Sequence, residues 1–169
     1  TSSTYTLTVT NLAGDKKTAS TTVVVVAPGS FASVPMLERI GSAHTATQLQ
    51  NGKVLIAGGV TGRTEYRHAE IFDPETQTFA ATGSMNASRI WHTATLLING
   101  KVLICGGDPG NNTALATAEL YDPDTGVFTP TGSMISARSY HAASLLLDGT
   151  VLVSGGQNDG PVGRLELYD

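Results

Sequence analysis

His92-Thr93-Ala94-Thr95-Leu96-Leu97, followed by Gly100-Lys101-Val102-Leu103-Ile104-Cys105-Gly106-Gly107, is the stretch that decides the fold. It returns upstream as His44-Thr45-Ala46-Thr47-Gln48-Leu49 and Gly52-Lys53-Val54-Leu55-Ile56-Ala57-Gly58-Gly59. Downstream it returns as His141-Ala142-Ala143-Ser144-Leu145-Leu146 and Gly149-Thr150-Val151-Leu152-Val153-Ser154-Gly155-Gly156. The histidines stand 48 and 49 residues apart, and so do the double glycines. A third element keeps step with them: Ala69-Glu70-Ile71-Phe72-Asp73, Ala118-Glu119-Leu120-Tyr121-Asp122 and Leu165-Glu166-Leu167-Tyr168-Asp169. A period of roughly 50 residues marks an array of supersecondary units, each burying an apolar face on its neighbour.

Each unit reads as four short strands. Strand a starts at the histidine and turns through Asn51-Gly52, Asn99-Gly100 or Asp148-Gly149. Such dipeptides accept the positive φ of a two-residue hairpin turn. Strand b is apolar on both faces, as a strand buried between packed sheets must be. It ends in a double glycine, where the backbone can take angles closed to other residues. A variable loop leads to strand c with its Glu and its aromatic. Asp73-Pro74-Glu75-Thr76 and Asp122-Pro123-Asp124-Thr125 then turn the chain, since Pro presets φ at the second turn position. Strand d ends at Thr82-Gly83-Ser84-Met85 and Thr131-Gly132-Ser133-Met134.

A hydrophobic strand, a double glycine and two aromatics separated by six residues, here Phe72 with Phe79 and Tyr121 with Phe128, resemble the kelch repeat family. In particular the chain resembles bacterial kelch proteins related to the propeller of galactose oxidase, and the resemblance covers roughly residues 31–169. The family usually carries Trp where Phe79 and Phe128 stand. The resemblance implies a ring of four-stranded antiparallel blades. The expectation is therefore an all-β chain holding part of a kelch β-propeller, with three repeats at about 31–83, 84–132 and 133–169. Three blades do not close a ring, so a fragment of a longer propeller is expected, or self-association of two chains through open edges into a six-bladed ring. Phe31-Ala32-Ser33-Val34-Pro35-Met36 resembles a stray strand d and is expected to close a blade.

Residues 1–27 differ. Tyr5 to Asn11 alternates as a half-buried strand does, Ala13-Gly14-Asp15-Lys16 reads as a turn, and Thr18 to Val26 as a second strand. The pair resembles the C-terminal hairpin of an immunoglobulin-like domain, joined by residues 28–30 to the repeats.

Composition bounds the function. Hydrophobic residues make up 40% and charged residues 14% of the 169, with 19 glycines, which suits strands and tight turns. Net charge is -4 without a Lys/Arg cluster, so the footprint of a nucleic-acid binder is missing. The longest apolar run, Val23-Val24-Val25-Val26-Ala27, is too short to span a bilayer. The opening Thr1-Ser2-Ser3-Thr4 is not a leader sequence, and Cys105 stands alone. The family resemblance implies a secreted or cell-surface bacterial protein.

Four constellations bear on chemistry. His44, His92 and His141 recur once per unit, which points to a role repeated in each blade, such as a hydrogen bond to the next strand. Convergence of all three on one metal is awkward for blades that splay around an axis. Arg39, Arg89 and Arg138 recur beside Glu70, Glu119 and Glu166 and suggest ion pairs within or between blades. Tyr140-His141 resembles the adjacent copper ligands of galactose oxidase, which would imply copper-dependent alcohol oxidation, but Cys105 does not match that enzyme's crosslinked cysteine. The leading expectation is a module without cofactor or catalytic residue, binding a glycan or a protein through loops on the face where strand a begins. The candidate contacts are Arg89, Trp91, Asp108, Asn111, Asn112, Arg138, Tyr140, Gln157, Asn158 and Asp159. Aromatic and Arg side chains anchor interfaces, and amides and carboxylates suit hydroxyl partners.

Overall fold

The period of 48 to 49 residues becomes three β-sheets set side by side. The computed structural model describes residues 2–10, 16–24, 29–31, 41–62, 64–65 and 67–169, and every regular element among them is a strand. The chain divides into two compact units, Thr1–Pro35 and Met36–Asp169. In the first, β1 (Ser2–Thr10) pairs antiparallel with β2 (Lys16–Val24), Tyr5 facing Thr21 and Thr10 facing Lys16. The expected hairpin is present, but Lys16, expected in the turn, already pairs in β2. The rest of that turn (13–15), residues 32–36 of the expected closing strand and Arg39 lie outside the described residues.

In the second unit the first blade holds β3 (Thr45–Gln48), β4 (Val54–Ala57), a small ribbon of β5 (Val60–Thr61) with β6 (Thr64–Glu65), then β7 (Ala69–Asp73) and β8 (Thr78–Ala81). The second blade holds β9 (Thr93–Leu96), β10 (Val102–Cys105), β11 (Ala118–Asp122) and β12 (Val127–Thr131). The third holds β13 (Ala142–Leu145), β14 (Val151–Ser154) and β15 (Glu166–Tyr168). Sheet orders β3-β4-β7-β8 and β9-β10-β11-β12 are the antiparallel a-b-c-d meander expected of propeller blades, and β13-β14-β15 is its a-b-c part. The a strands β3, β9 and β13 adjoin one another, which places them around a common axis with the d strands outermost.

The a–b connections correct the two-residue turn. Only Gly52, Gly100 and Gly149 take positive φ there; the preceding Asn51, Asn99 and Asp148 do not. Gly52 N–H donates to Leu49 O and Leu49 N–H to Lys53 O, a three-residue loop with Gly in the left-handed position. Asn51 Oδ1 accepts from Lys53 N–H at 3.1 Å, so the side chain caps the turn rather than supplying a second positive φ.

Strand b explains the core. In β10 all four residues are buried, whereas β4 buries Leu55 and Ala57 and β14 buries Val151 and Val153, one face each. Val102 and Ile104 join Leu49, Leu55, Ala57, Ala69 and Met85 of the first blade in one core, with Tyr121 and Phe128. Leu103 and Cys105, on the opposite face, join Val151 and Val153 of the third blade in the other. Period-2 alternation thus splits one apolar run between two interfaces.

Backbone and polar contacts lock the same interfaces. Gly59 N–H donates to Arg89 O at 3.0 Å and Gly107 N–H to Arg138 O at 2.9 Å, each reaching the next blade. A Cβ on Gly58 would lie 2.4 Å from Arg89 O, and one on Gly106 would lie 2.5 Å from Arg138 O, so the glycines let the next blade sit flush. Tyr121 and Tyr168 hydroxyls meet Thr82 and Thr131 hydroxyls of the preceding blade, both at 2.9 Å.

Candidate functional site

The segments just before strand a and just after the double glycine are tied together in every blade. Antiparallel bridges join Ser42 to Val60, Ile90 to Asp108 and Ser139 to Gln157. These bridges fix where the face loops stand. Between them the residues preceding the histidines, Ala43, Trp91 and Tyr140, all take left-handed backbone, with φ of 62°, 53° and 56°. Bulky residues there are strained, at a cost of about 1–3 kcal/mol each. Two hydrogen bonds hold them in place: Trp91 N–H donates to Ala43 O at 3.2 Å, and Tyr140 N–H to Trp91 O at 3.0 Å. The result is a backbone chain running around the axis, on which the Trp91 and Tyr140 rings stack at 4.4 Å with 24° between planes.

Beside that stack lies a cleft of about 280 Å3. Of the expected contacts it takes in Trp91, Tyr140, Asp108 and Asn112, with Gln157, Asn158 and Asp159 on the far wall. Asn111 is exposed and not part of the lining; its Oδ1 accepts from Thr113 N–H and shapes the loop. Ser139, beside Tyr140, also lines it, and sequence reasoning passed over Ala114 and Gly160, which complete the walls. Neither carries a side chain with a chemical signal. Asp108 is 5% exposed, and its Oδ1 accepts from Gly110 N–H at 2.6 Å and Asn111 N–H at 3.1 Å, so the loop is pinned from inside. The Tyr140 phenol is pushed up by burial and then by the Asp108 carboxylate nearby.

Arg89 and Arg138 do not belong to this cleft, which corrects the expectation that they meet ligand. They are 1% and 0% exposed. Arg89 donates to Glu119 Oε1 from Nε and Nη2, and to the carbonyls of Gly106 and Thr117 from Nη1. Arg138 donates from Nη1 to the carbonyls of Gly155 and Arg164 and from Nη2 to Glu166 Oε1, but its Nε turns to the carbonyl of Ser136. The pairs lie within one blade and satisfy carbonyls that the double-glycine bend exposes. Burial raises the Glu119 carboxyl, but N–H donation from Asn86 and the Arg89 guanidinium outweigh it, and the group ends below the usual range. Glu166 is lowered against burial in the same manner, by Ile135 and Ser136 N–H and by Arg138.

The histidines serve the interfaces. His92 Nε2 meets Thr45 Oγ1 and His141 Nε2 meets Thr93 Oγ1, both at 2.9 Å and both across a blade boundary. Burial, then the Arg89 charge and the other histidines, pushes His92 down to about 3; burial and Arg138 push His141 down to about 4. In the Tyr140-His141 pair, His141 is buried and spends Nε2 on Thr93, with Nδ1 unpartnered among the described residues, while the Tyr140 ring stacks on Trp91. Among the described residues no three His, Cys, Asp or Glu side chains gather around a point where a metal could sit. Burial raises the Cys105 thiol, which keeps it protonated among apolar neighbours.

A larger cavity, about 610 Å3, lies on the outer side between the second and third blades. Leu103, Ala118, Met134, Val153 and Tyr168 line it. Leu55, Ala69, Met85, Ile104 and Tyr121 hold the same repeat positions in the first interblade core, where Phe128 of β12 fills the space. The cavity is thus a feature of blade packing.

Comparison with known proteins bears on the repeats. The kelch motif family matches residues 43–86 and 92–135, together just over half of the chain. No curated protein matches the chain.

Proposed function

The chain belongs to the kelch motif family, and from that premise we propose that it is a non-catalytic binding module that engages a partner protein in the cleft beside the Trp91–Tyr140 stack. Kelch repeats are in general protein-interaction and scaffold modules, and no helix among the described residues is long and apolar enough to cross a membrane. The observation that carries the reading is the pair of strained, stacked aromatics at a cleft whose walls are held by bridges and an Asx turn. Strain of this kind persists only where the surroundings impose it, and it concentrates at ligand sites. Rigid aromatic anchors bind at low entropic cost. A secreted or cell-surface bacterial setting is part of the same proposal, drawn from the likeness to galactose-oxidase-type propellers and from the immunoglobulin-like pattern of residues 1–27.

A glycan ligand is the second reading, favoured by the Asn112, Gln157 and Asn158 amides on the walls, which suit sugar hydroxyls. Parallel screens on protein, peptide and glycan arrays separate the two, with Tyr140→Ala run beside the native chain. The expected result is a peptide or protein ligand whose affinity falls more than tenfold in Tyr140→Ala. Ligands that bind the variant as well as the native chain would place the binding surface elsewhere and end the proposal.

A further inference from the structure

The cleft on the face carries a charge imbalance that its shape alone does not require. Asp108 and Asp159 stand on its walls, and among the described residues no Lys, Arg or His lines it. The nearby cations are spoken for: Arg89 and Arg138 are buried in pairs with Glu119 and Glu166. Asp108 is 5% exposed as a residue; its Oδ1 is engaged by Gly110 and Asn111 N–H, and among the described residues no donor is recorded on Oδ2. Two carboxylates therefore border the cleft with no cation of the described residues lining it, so a cation that enters meets uncompensated negative charge. Next to Asp108, Tyr140 is half-exposed and stacked on Trp91, so an aromatic surface and a carboxylate border the same space.

We infer that this cleft is built to receive a guanidinium group, the arginine side chain of a partner protein's loop. The inference rests on the proposed binding role of the cleft and names what enters it. A planar cation can lie against an aromatic face while its N–H edge donates to the remaining oxygen of Asp108 and to Asp159; an ammonium offers no flat face to the ring, and a neutral sugar leaves the charge of both carboxylates in place. No third His, Cys, Asp or Glu joins the two aspartates in a group that could hold a metal ion among the described residues. Asp159, exposed at the rim, attracts the incoming charge, and Asp108, deeper, pairs with it.

Trp91 is the single tryptophan of the chain, so its indole fluorescence and its indole N–H signal report this cleft alone. The probes are capped tripeptides Gly-Arg-Gly, Gly-Lys-Gly and Gly-citrulline-Gly, titrated at low ionic strength. The Arg peptide is expected to give a saturable Trp91 response at least tenfold tighter than citrulline, with Lys between them. Added salt weakens it, and Asp159→Asn weakens it severalfold; this rim residue is preferred because Asp108→Asn disturbs the loop that Oδ1 pins. Equal response to Arg and citrulline overturns the inference, as does Arg binding untouched by both Asp159→Asn and Tyr140→Ala. Silence of Trp91 to all three peptides also overturns it. In that case a saturable response to a neutral galacto-oligosaccharide leaves the cleft a binding site of another class, and silence to the sugar as well removes the binding reading with it.

Discussion

Gly106 and Gly155 occupy the same place in consecutive repeats and have nearly the same backbone, with φ of 64° and 67°. Their surroundings are opposite. A Cβ on Gly106 would meet Arg138 O at 2.5 Å and His141 Cε1 at 2.6 Å, whereas one on Gly155 would meet nothing within 4 Å. The histidines tell the same story from the other side of a blade: His92 and His141 are 6% and 8% exposed against a preceding blade, while His44, at the leading side of the first blade, is exposed. Each repeat therefore folds its own docking surface whether or not a neighbour covers it. Local geometry comes from the repeat, and burial comes from the neighbour, as in any quasi-one-dimensional array.

The sharpest way to break that comparison is to put the same methyl group on both glycines. Gly155→Ala bears only the left-handed backbone penalty, about 1–2 kcal/mol. Gly106→Ala bears that and a collision with main-chain atoms of the third blade, for a total of about 4 kcal/mol or more. Urea unfolding of the two variants, compared by midpoint and slope, gives the difference. Equal losses would mean that the double glycine serves only its own turn, and the docking argument would fail.

A second contrast sets strand d of the second blade against the uncovered sheet edge of the third. Phe128 is 7% exposed, with its ring 4.7 Å from Tyr121 in the first interblade core. Leu167, on β15 beside the 610 Å3 cavity, is 65% exposed. Phe128→Ala is expected to cost about 3–5 kcal/mol; Leu167→Ala should stay within about 0.5 kcal/mol. A large effect at Leu167 in thermal melts, dependent on concentration, would show that this edge is covered in solution.

Much of this was legible before any coordinates. The histidine and double-glycine spacing fixed the number of blades, and Asp-Pro turns and alternating runs fixed their strand order. What escaped depends on contacts that span the sequence. The pairing of Arg89 with Glu119 Oε1, 30 residues on, is suggested by the repeat, but nothing in the sequence points to the carbonyl of Gly106, 17 residues on, that the same guanidinium also meets, or to its burial. The Trp91–Tyr140 stack joins residues one repeat apart and needs both in left-handed backbone, a state that bulky side chains do not advertise. Asn-Gly reads as a two-residue turn, and the bond from Gly52 N–H to Leu49 O shows the three-residue loop that replaces it.

The smallest effect tests the interfaces through pH. His92 is held neutral down to about 3, against 6.5 for an ordinary imidazole. Between those values the unfolded chain binds a proton that the folded chain refuses, so stability is full above pH 6.5 and falls as pH drops toward 3. The slope is about 1.4 kcal/mol per pH unit, or about 2 kcal/mol between pH 6.5 and 5 for this one residue. Glu119 and Glu166, both lowered, hold their contribution until pH falls below about 4.5, so the upper part of the window belongs to the buried histidines. His92→Gln keeps a polar group near Thr45 but cannot titrate, and its urea midpoint should depend less on pH from 7.5 to 5 than that of the native chain. An unchanged slope in the variant would mean that His92 is not what the acid attacks, and that the boundary between the first two blades is more open to water than its 6% exposure implies.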